Sequence, residues 1–211
     1  MSEMSIIGKG KKEMIKIGLT GGISSGKSTV SEYLNQKYGV TIIDADRIGY
    51  EIAEPHKELW EEYVKRYGSD KVLLADGTLN RRAVANIVFS SAEEQKWMDS
   101  VAIPLIEDKV SRQIKEYEKK GEKAVIIDAP LLFEKGWEYM ADSIWVVYVN
   151  QETQLKRLMK RNNYDEKTAK MRIASQMSLE IKKEKADVVI DNSGTLEEAR
   201  KQVDEAWAKI N

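Results

Sequence analysis

The chain has 211 residues, which is enough for one domain, or for one domain with an insertion, around a substantial hydrophobic core. Its 34 Lys and Arg residues balance 35 Asp and Glu residues, so the net charge of −1 gives no general attraction to nucleic acid or to an anionic membrane surface. The absence of cysteine excludes disulfides, iron–sulfur clusters and thiolate zinc sites, and it is compatible with a reducing cytosol. A polyanionic ligand would therefore need a local cluster of positive charge.

The beginning of the chain does not resemble a targeting segment. Residues 1–14 carry lysine and glycine where a signal peptide needs an apolar run of about 7 to 15 residues. No later segment approaches the roughly 18 consecutive apolar residues of a membrane-spanning helix. We therefore expect a soluble cytoplasmic protein with a flexible leader over residues 1–14.

Five short apolar segments predict the strands of a sheet. They are rich in β-branched residues and continuous rather than alternating, which is typical of parallel strands that are covered on both faces. The segments are residues 15–20, 40–44, 123–128, 143–149 and 187–191. Helix-like segments follow the first four strands. This order predicts an α/β fold with a doubly wound, mostly parallel sheet.

Two long helical stretches interrupt this alternation. The first, residues 47–122, has apolar residues at helical spacing and no convincing strand, and we expect Pro104 to break or kink its longest helix. This stretch is either a decorative insertion or a subdomain that holds a second substrate, because ligands bind beyond the carboxyl ends of parallel strands. The second stretch, residues 151–184, is basic and helical. The sheet-bearing core is then formed by residues 15–46, 123–150 and 185–211.

The segment LTGGISSGKST follows the first predicted strand directly and precedes a helical pattern. Its residues Gly21, Gly26, Lys27 and Ser28 satisfy the pattern GxxxxGK[ST]. In such a phosphate loop (P-loop) the backbone N–H groups and the positive end of the following helix bind phosphate, the lysine reaches the β- and γ-phosphates, and the serine hydroxyl binds magnesium. A chance Gly/Ser turn is the alternative, but the position between a strand and a helix favours nucleotide binding on a sheet of the P-loop kinase type.

Further motifs distinguish among the proteins that use this loop. A GTP-binding switch needs a base-reading NKxD segment, which the chain lacks. Motor and transport ATPases are usually parts of larger chains with additional motifs. A small-molecule kinase that uses ATP and magnesium therefore fits best. A non-catalytic regulator that binds ATP with the same loop is the alternative from a different class.

Two aspartates, Asp44 and Asp46, follow the second predicted strand at the same edge of the sheet as the phosphate loop. A carboxylate there can accept the proton of an attacking hydroxyl and direct its oxygen at the γ-phosphorus. Capping of the next helix is the alternative role, and it suits Asp44 best. We predict that Asp46 is the general base.

Three further charged residues are candidates for phosphoryl chemistry. Asp128 ends an apolar strand as in a Walker B pattern, so it either binds magnesium, directly or through water, or simply forms a turn. Arg157 and Arg161 are four residues apart and share a helix face away from the apolar residues. They either form a solvated basic surface or belong to a lid that closes on ATP and neutralises the transferred phosphoryl group.

With these residues and several further motifs, the chain resembles the dephospho-CoA kinase family, whose members phosphorylate the ribose 3′-hydroxyl of dephospho-CoA to complete coenzyme A. The motifs in chain order are LTGGISSGKST, IIDADRI, ADGTLNRR, DAPLLFE, QLKRLMKRN, RIASQM and ADVVIDNSGT. Many kinases share the phosphate loop, but this combination in this order is diagnostic. The resemblance covers residues 15–206.

The resemblance implies ATP and dephospho-CoA as substrates and magnesium as cofactor, with Asp46, Lys27 and Arg157 as the catalytic residues. The implied ATP-binding residues are Gly21, Gly22, Ser24, Ser25, Gly26, Lys27, Ser28, Thr29, Arg157, Arg161 and Asn192, the last near the adenine. The implied substrate-binding residues are Asp46, Arg82 and Leu132, and the implied metal ligands are Ser28 and Asp128. Residues 47–122 become the dephospho-CoA-binding insertion, and residues 151–184 become the lid.

One position departs from the family pattern. The family commonly has histidine before the proline of the insertion, whereas here Ile103 precedes Pro104. We expect a local change in acceptor contacts rather than loss of activity, because the phosphate loop and Asp46 are unaffected. The nearest alternative is another P-loop kinase of a nucleotide-like acceptor. We expect a monomer without nucleic-acid or membrane partners.

Overall fold

The computed structural model describes residues 13–210. The predicted flexible leader therefore lies outside the described residues, apart from Glu13 and Met14. The side chain of Met14 is only 6% exposed and packs in the hydrophobic core, so the folded part of the chain begins at least one residue before the first strand.

A five-stranded sheet forms the centre of the fold, and every neighbouring pair of strands is parallel. The strands are β1 (Ile15–Gly21), β2 (Thr41–Asp44), β3 (Ala124–Asp128), β4 (Ser143–Tyr148) and β5 (Val188–Asp191). Their spatial order is β2-β3-β1-β4-β5. All five predicted strands are thus confirmed, and so is the parallel, doubly wound arrangement.

The strands bury side chains on both faces, which explains their continuous apolar sequence. In β3, Ile126 packs in one core, whereas Val125 and Ile127 pack in the other. The first core is completed by α1 (Lys27–Tyr38) and α10 (Leu196–Ala208). Helices of the insertion cover the opposite face. The result is a three-layer α/β/α fold.

The insertion is helical, as predicted. Helix α2 (Ala45–Glu51) begins in the core and runs into the insertion, whose further helices are α3 (Glu58–Tyr67), α4 (Ser69–Val72), α5 (Arg81–Val88) and α6 (Ala92–Lys120). The expected break at Pro104 is wrong, because α6 continues through this residue. Ile103 and Leu105 pack against the core on either side of Pro104, which is exposed, so packing holds the helix on both sides of the missing N–H group.

The second excursion also forms helices, α7 (Gln151–Asn162), α8 (Glu166–Ala174) and α9 (Leu179–Glu184). Side chains of Asn150, Asp165 and Ser178 cap their N-termini, so the sequence marks where each helix begins. Within residues 13–210, no helix combines the length and the apolar character that crossing a bilayer requires.

Candidate active site

A cleft of about 1050 Å³ lies at the carboxyl ends of the parallel strands. The crossovers from β1 and β4 run in opposite directions across the sheet, so this is the edge at which doubly wound sheets bind ligands. Among the residues that line the cleft are those of the phosphate loop, residues 22–29, together with Asp46, Pro130, Leu131, Arg157, Lys160, Arg161, Gln176 and Asn192. Most of the predicted ATP-binding residues therefore share one cavity with the predicted base.

The phosphate loop has a backbone that suits an anion. Ser24 and Gly26 have φ angles of 59° and 88°, and a Cβ added at Gly26 would lie 2.2 Å from Nδ2 of Asn192. Glycine is therefore required at residue 26 by both its backbone angle and the available space. Helix α1 begins at Lys27 without a side-chain cap or an acidic residue in its first turn. Its first N–H groups and the positive end of its dipole are thus available to a phosphate group.

Three amide side chains from distant segments hold this loop. Gln154 of α7 donates from Nε2 to the carbonyl oxygen of Ile23 at 2.9 Å. The backbone N–H group of Ile23 donates to Oε1 of Gln176 at 2.8 Å. Asn192, after β5, donates from Nδ2 to the carbonyl oxygen of Ser25 at 2.8 Å. We call Gln154, Gln176 and Asn192 the amide clamps, because together they fix the backbone of the loop.

Lys27, which lines the cleft, forms an ion pair with Asp128 at the end of β3. The side chain of Asp128 is 6% exposed and that of Lys27 is 17% exposed, so both charges are largely withdrawn from water. Ser28 lies at the start of α1 with an exposed side chain. The structure thus brings the predicted lysine next to one of the two predicted magnesium ligands.

The two aspartates after β2 have different roles. The strand ends at Asp44, whose carboxylate accepts a hydrogen bond from the N–H group of Arg47 at 2.9 Å and caps α2. Asp46 lies in the first turn of α2 and lines the cleft. Its side chain remains accessible to solvent, but the surrounding protein removes part of its hydration. This desolvation raises the pKa of the Asp46 carboxyl; Lys27 lowers it, and Asp44 and Asp128 raise it further.

Three basic residues of α7 line the cleft. Leu158 is fully buried beneath the helix, whereas Arg157 and Arg161 line the cavity together with Lys160. The guanidinium of Arg161 donates from Nε to Oδ1 of Asn162 at 2.9 Å. The α7 face that lies away from the apolar core thus presents three cations to the cavity that contains the phosphate loop.

The two predicted acceptor-binding residues outside α2 lie elsewhere. Arg82 is exposed in the first turn of α5 and is not among the residues that line the cleft. The side chain of Leu132 is 1% exposed and packs in the core, whereas its neighbour Leu131 lines the cleft. We therefore correct the prediction for Leu132 and assign it to packing, because its side chain cannot leave the core without opening a cavity there.

Several residues that shape the site were not predicted from the sequence. Gln154 and Gln176 lie in the quoted motifs QLKRLMKRN and RIASQM, but the pattern alone did not indicate a role for them. Lys160 and Leu131 line the cleft beside predicted residues. Asn192 was predicted near the adenine, and its direct contact is with the phosphate loop. An unexplained Gln or Asn inside a specific motif is the only signal that could have identified the amide clamps.

The chain is similar to known proteins along nearly its whole length. The family model for dephospho-CoA kinase matches residues 15–198. A dephospho-CoA kinase from Shouchella clausii is 41% identical over 195 residues, which cover 92% of this chain and 98% of that protein.

Solved structures extend this similarity to the fold. A crystal structure of a Thermus thermophilus protein covers 95% of this chain and 100% of its own, with a TM-score of 0.79 at 32% identity. A dephospho-CoA kinase from Campylobacter jejuni covers 93% of this chain and 97% of its own, with a TM-score of 0.64 at 27% identity. The sequence match, the shared fold and the phosphate-loop cleft agree, and the chain belongs to the dephospho-CoA kinase family.

Proposed function

We propose that the protein transfers the γ-phosphoryl group of ATP to the ribose 3′-hydroxyl of dephospho-CoA, giving coenzyme A and ADP. The observation that carries this proposal is that one cleft, in a chain of the dephospho-CoA kinase family, is lined by the phosphate loop, by the Asp46 carboxylate and by the cations of α7. A phosphate site, a base and positive charge near the transferred group are parts that phosphoryl transfer uses.

The phosphate loop fits a triphosphate. The hydroxyl oxygens of Ser24 and Ser25 are buried and have no hydrogen-bond partner in the described structure, and no side chain caps the N-terminus of α1. A buried donor without a partner costs free energy, which a phosphate oxygen would recover. We infer that the N–H groups of the loop and the Lys27 amino group bind the β- and γ-phosphates.

Asp46 is proposed as the general base. Its carboxylate accepts the proton of the 3′-hydroxyl, the hydroxyl oxygen forms a bond to the γ-phosphorus, and the bond from that phosphorus to the bridging oxygen breaks. The electron pair of the broken bond leaves with ADP. The raised pKa of Asp46 suits this role, because a stronger base takes up the proton more readily.

The site also suits a magnesium ion. Ser28 and Asp128 supply two oxygen atoms of the kind that magnesium prefers, and this ion usually takes its remaining ligands from phosphates and water. The described residues contain no cluster of three or more His, Cys, Asp or Glu side chains that could hold a metal alone, which agrees with an ion that arrives with ATP. When bound, magnesium neutralises charge on the phosphates.

Arg157 and Arg161 are proposed to belong to a lid, residues 151–184, that closes over ATP. Their guanidinium groups are positioned on the cleft side of α7, where they can approach the transferred phosphoryl group. Closure would also exclude water and limit wasteful hydrolysis of ATP. The lid contacts the phosphate loop through Gln154 and Gln176, so movement of α7 and α8 is coupled to the nucleotide site.

The insertion, residues 47–122, is proposed to bind dephospho-CoA. Asp46 and Tyr50 are four residues apart in α2 and therefore share one face of this helix. The guanidinium of Arg81 lies 4.3 Å from the centroid of the Tyr50 ring. This contact places the Arg81 guanidinium beside the face of α2 that carries Asp46, and we propose that Arg81, together with the next residue Arg82, binds the phosphates of the acceptor. We further propose that the protein acts as a monomer in the cytoplasm.

The acceptor can be identified by measuring ADP release in a coupled assay with ATP and magnesium. We expect release with dephospho-CoA and none with coenzyme A, whose 3′-hydroxyl is already phosphorylated and which therefore serves as a matched control. Mass spectrometry of the product should show one added phosphoryl group. Faster release with a nucleoside monophosphate would indicate a different kinase, and ATP binding without turnover on any acceptor would indicate a regulator.

A further inference from the structure

A buried lysine outside the proposed chemistry joins segments around the phosphate loop. The side chain of Lys182, in α9, is fully buried. Its Nζ donates to the carbonyl oxygen of Pro130 at 2.7 Å. The same atom lies 3.0 Å from Oε1 of Glu134 and 3.5 Å from the carbonyl oxygen of Gly21. An ammonium group has three N–H donors, which matches these three oxygen atoms.

The three acceptors belong to segments whose relative positions must stay fixed for the proposed reaction. Gly21 begins the phosphate loop at the end of β1. Pro130 lines the cleft two residues after Asp128, and its carbonyl oxygen also accepts a hydrogen bond from the Thr20 hydroxyl at 3.1 Å. Lys182 therefore connects the segment that carries the nucleotide-binding loop with the segment that carries the candidate magnesium ligand.

Glu134 also connects these two segments to residues 176 and 177 of the lid. Its Oε1 accepts a hydrogen bond from the N–H group of Met177 at 2.9 Å. Met177 follows Gln176, the amide clamp that accepts a hydrogen bond from the N–H group of Ile23. The contacts of Lys182 and Glu134 thus bring together the end of β1, the segment after β3 and the connection between α8 and α9.

Stability alone gives a weak reason for a charge at this position. Burial lowers the pKa of Lys182, while the Glu134 carboxylate raises it and nearby Lys27 lowers it. Buried ion pairs often contribute little net stability, because the loss of hydration offsets the attraction between the charges. An apolar residue of similar size would pack there as well, but it would leave the carbonyl groups of the two segments without their shared donor.

We propose that Lys182, held by Glu134, is a positioning residue that sets the phosphate loop against the segment carrying Asp128. It acts through the backbone of Gly21 and Pro130 and touches neither substrate. This inference rests on the proposed role of the phosphate loop in binding ATP. It extends that role to Lys182, a residue of the lid, whose ammonium group fixes the position of the lid relative to the phosphate loop.

The variant Lys182→Met tests this proposal, with Lys183→Met as the matched control. Lys183 is exposed, and its ammonium lies 4.5 Å from the centroid of the Tyr148 ring, away from this junction. We expect Lys182→Met to lower kcat by about 10²-fold, the loss that a misplacement of about 1 Å can cause. The dissociation constant of ATP, measured by calorimetry, should rise, and the KM for dephospho-CoA and the thermal midpoint should change little. Lys183→Met should match the unaltered protein.

A folded Lys182→Met protein with unaltered kcat and unaltered ATP affinity would overturn the proposal, and so would a loss confined to thermal stability. Should this variant fail to fold, Glu134→Met decides, because methionine has a similar size but cannot accept the hydrogen bonds of Lys182 and Met177. A kcat equal to that of the unaltered protein would then refute the positioning role. Failure of the unaltered protein to phosphorylate dephospho-CoA would instead contradict the proposed function, and the ATP affinities would still test this inference.

Discussion

The half of the cleft proposed to bind the nucleotide and the half proposed to bind the acceptor are built differently. The phosphate loop is held by the amide clamps through hydrogen bonds of 2.8 to 2.9 Å and carries Gly26 in a conformation that its neighbours require. On the proposed acceptor side, Asp46 is exposed, and so are Arg82 and Tyr50 (59% exposed), which are not among the residues that line the cleft. The phosphate loop is therefore preorganised, whereas under our proposal binding of the acceptor supplies much of the order on its own side.

This difference has a consequence for the effects of substitutions. A change in the nucleotide half should alter how tightly ATP binds, because it would disturb the single conformation in which the amide clamps hold the phosphate loop. A change among the exposed side chains that are proposed to act on the transferred group should leave ATP binding intact and alter the rate of transfer.

The largest effect is expected for Asp46→Asn. The amide cannot accept the hydroxyl proton, so kcat should fall by about 10²- to 10⁴-fold, the usual contribution of a general base. ATP affinity, measured by calorimetry, should stay near that of the unaltered protein. The matched control is Asp44→Asn, in which asparagine can still cap α2, so kcat at neutral pH should be retained. Full turnover in Asp46→Asn would remove this residue from the mechanism.

The next largest effect is expected for Arg157→Ala. Loss of one group that stabilises charge in the transition state typically lowers kcat by about 10²- to 10³-fold. The dissociation constant of ATP should rise less than kcat falls. Lys156→Ala is a suitable control, because Lys156 is exposed and pairs with Glu152 on the same helix, and it does not line the cleft. Equal rates for the two variants would indicate that this face of α7 is only a solvated basic surface.

Much of the fold was predictable because the relevant physics is local. Strands covered on both faces leave continuous apolar runs, and the phosphate loop combines a sequence pattern with its position between β1 and α1. The roles of Asp44 and Asp46 depend on where β2 ends. Because the strand ends at Asp44, this residue caps α2 and Asp46 lies in the first turn of the helix; a strand end shifted by one residue would change the surroundings of both. Leu131 and Leu132 are also adjacent, but Leu131 lines the cleft whereas Leu132 is buried in the core, so the sequence-based choice of Leu132 was wrong.

Other features of the site were not predictable because they join residues far apart in the chain. Gln154 contacts Ile23 across 131 positions, and Lys182 contacts Gly21 across 161. No local pattern indicates which backbone group a distant side chain will meet. Pro104 shows the same limit, because packing on both sides of it overrides the local tendency of proline to end a helix.

A smaller effect is expected for Asn192→Ala, which acts on the nucleotide half. The buried carbonyl oxygen of Ser25 would lose its donor, at a cost of about 1–3 kcal/mol. The dissociation constant of ATP should rise within the corresponding range of about 5- to 150-fold, and kcat at saturating ATP should change little. Asn86→Ala is the control, since Asn86 is exposed on α5 and away from the cleft. A fall in kcat without loss of ATP affinity would contradict the division between the two halves.

The smallest effect is a shift in the pH dependence of kcat. Because desolvation raises the pKa of Asp46, the acid limb of the profile should lie above the ordinary aspartate range of about 3.5 to 3.9, and kcat should fall as pH decreases through it. The negative charge of Asp44 raises the same pKa. Asp44→Asn removes that charge, so the Asp46 proton dissociates more easily and the acid limb should move to lower pH. Glu51→Gln, which removes a carboxylate paired with Arg47 on the same helix, should leave the limb in place. An acid limb that moves equally in both variants, or in neither, would show that Asp46 is not the group that titrates.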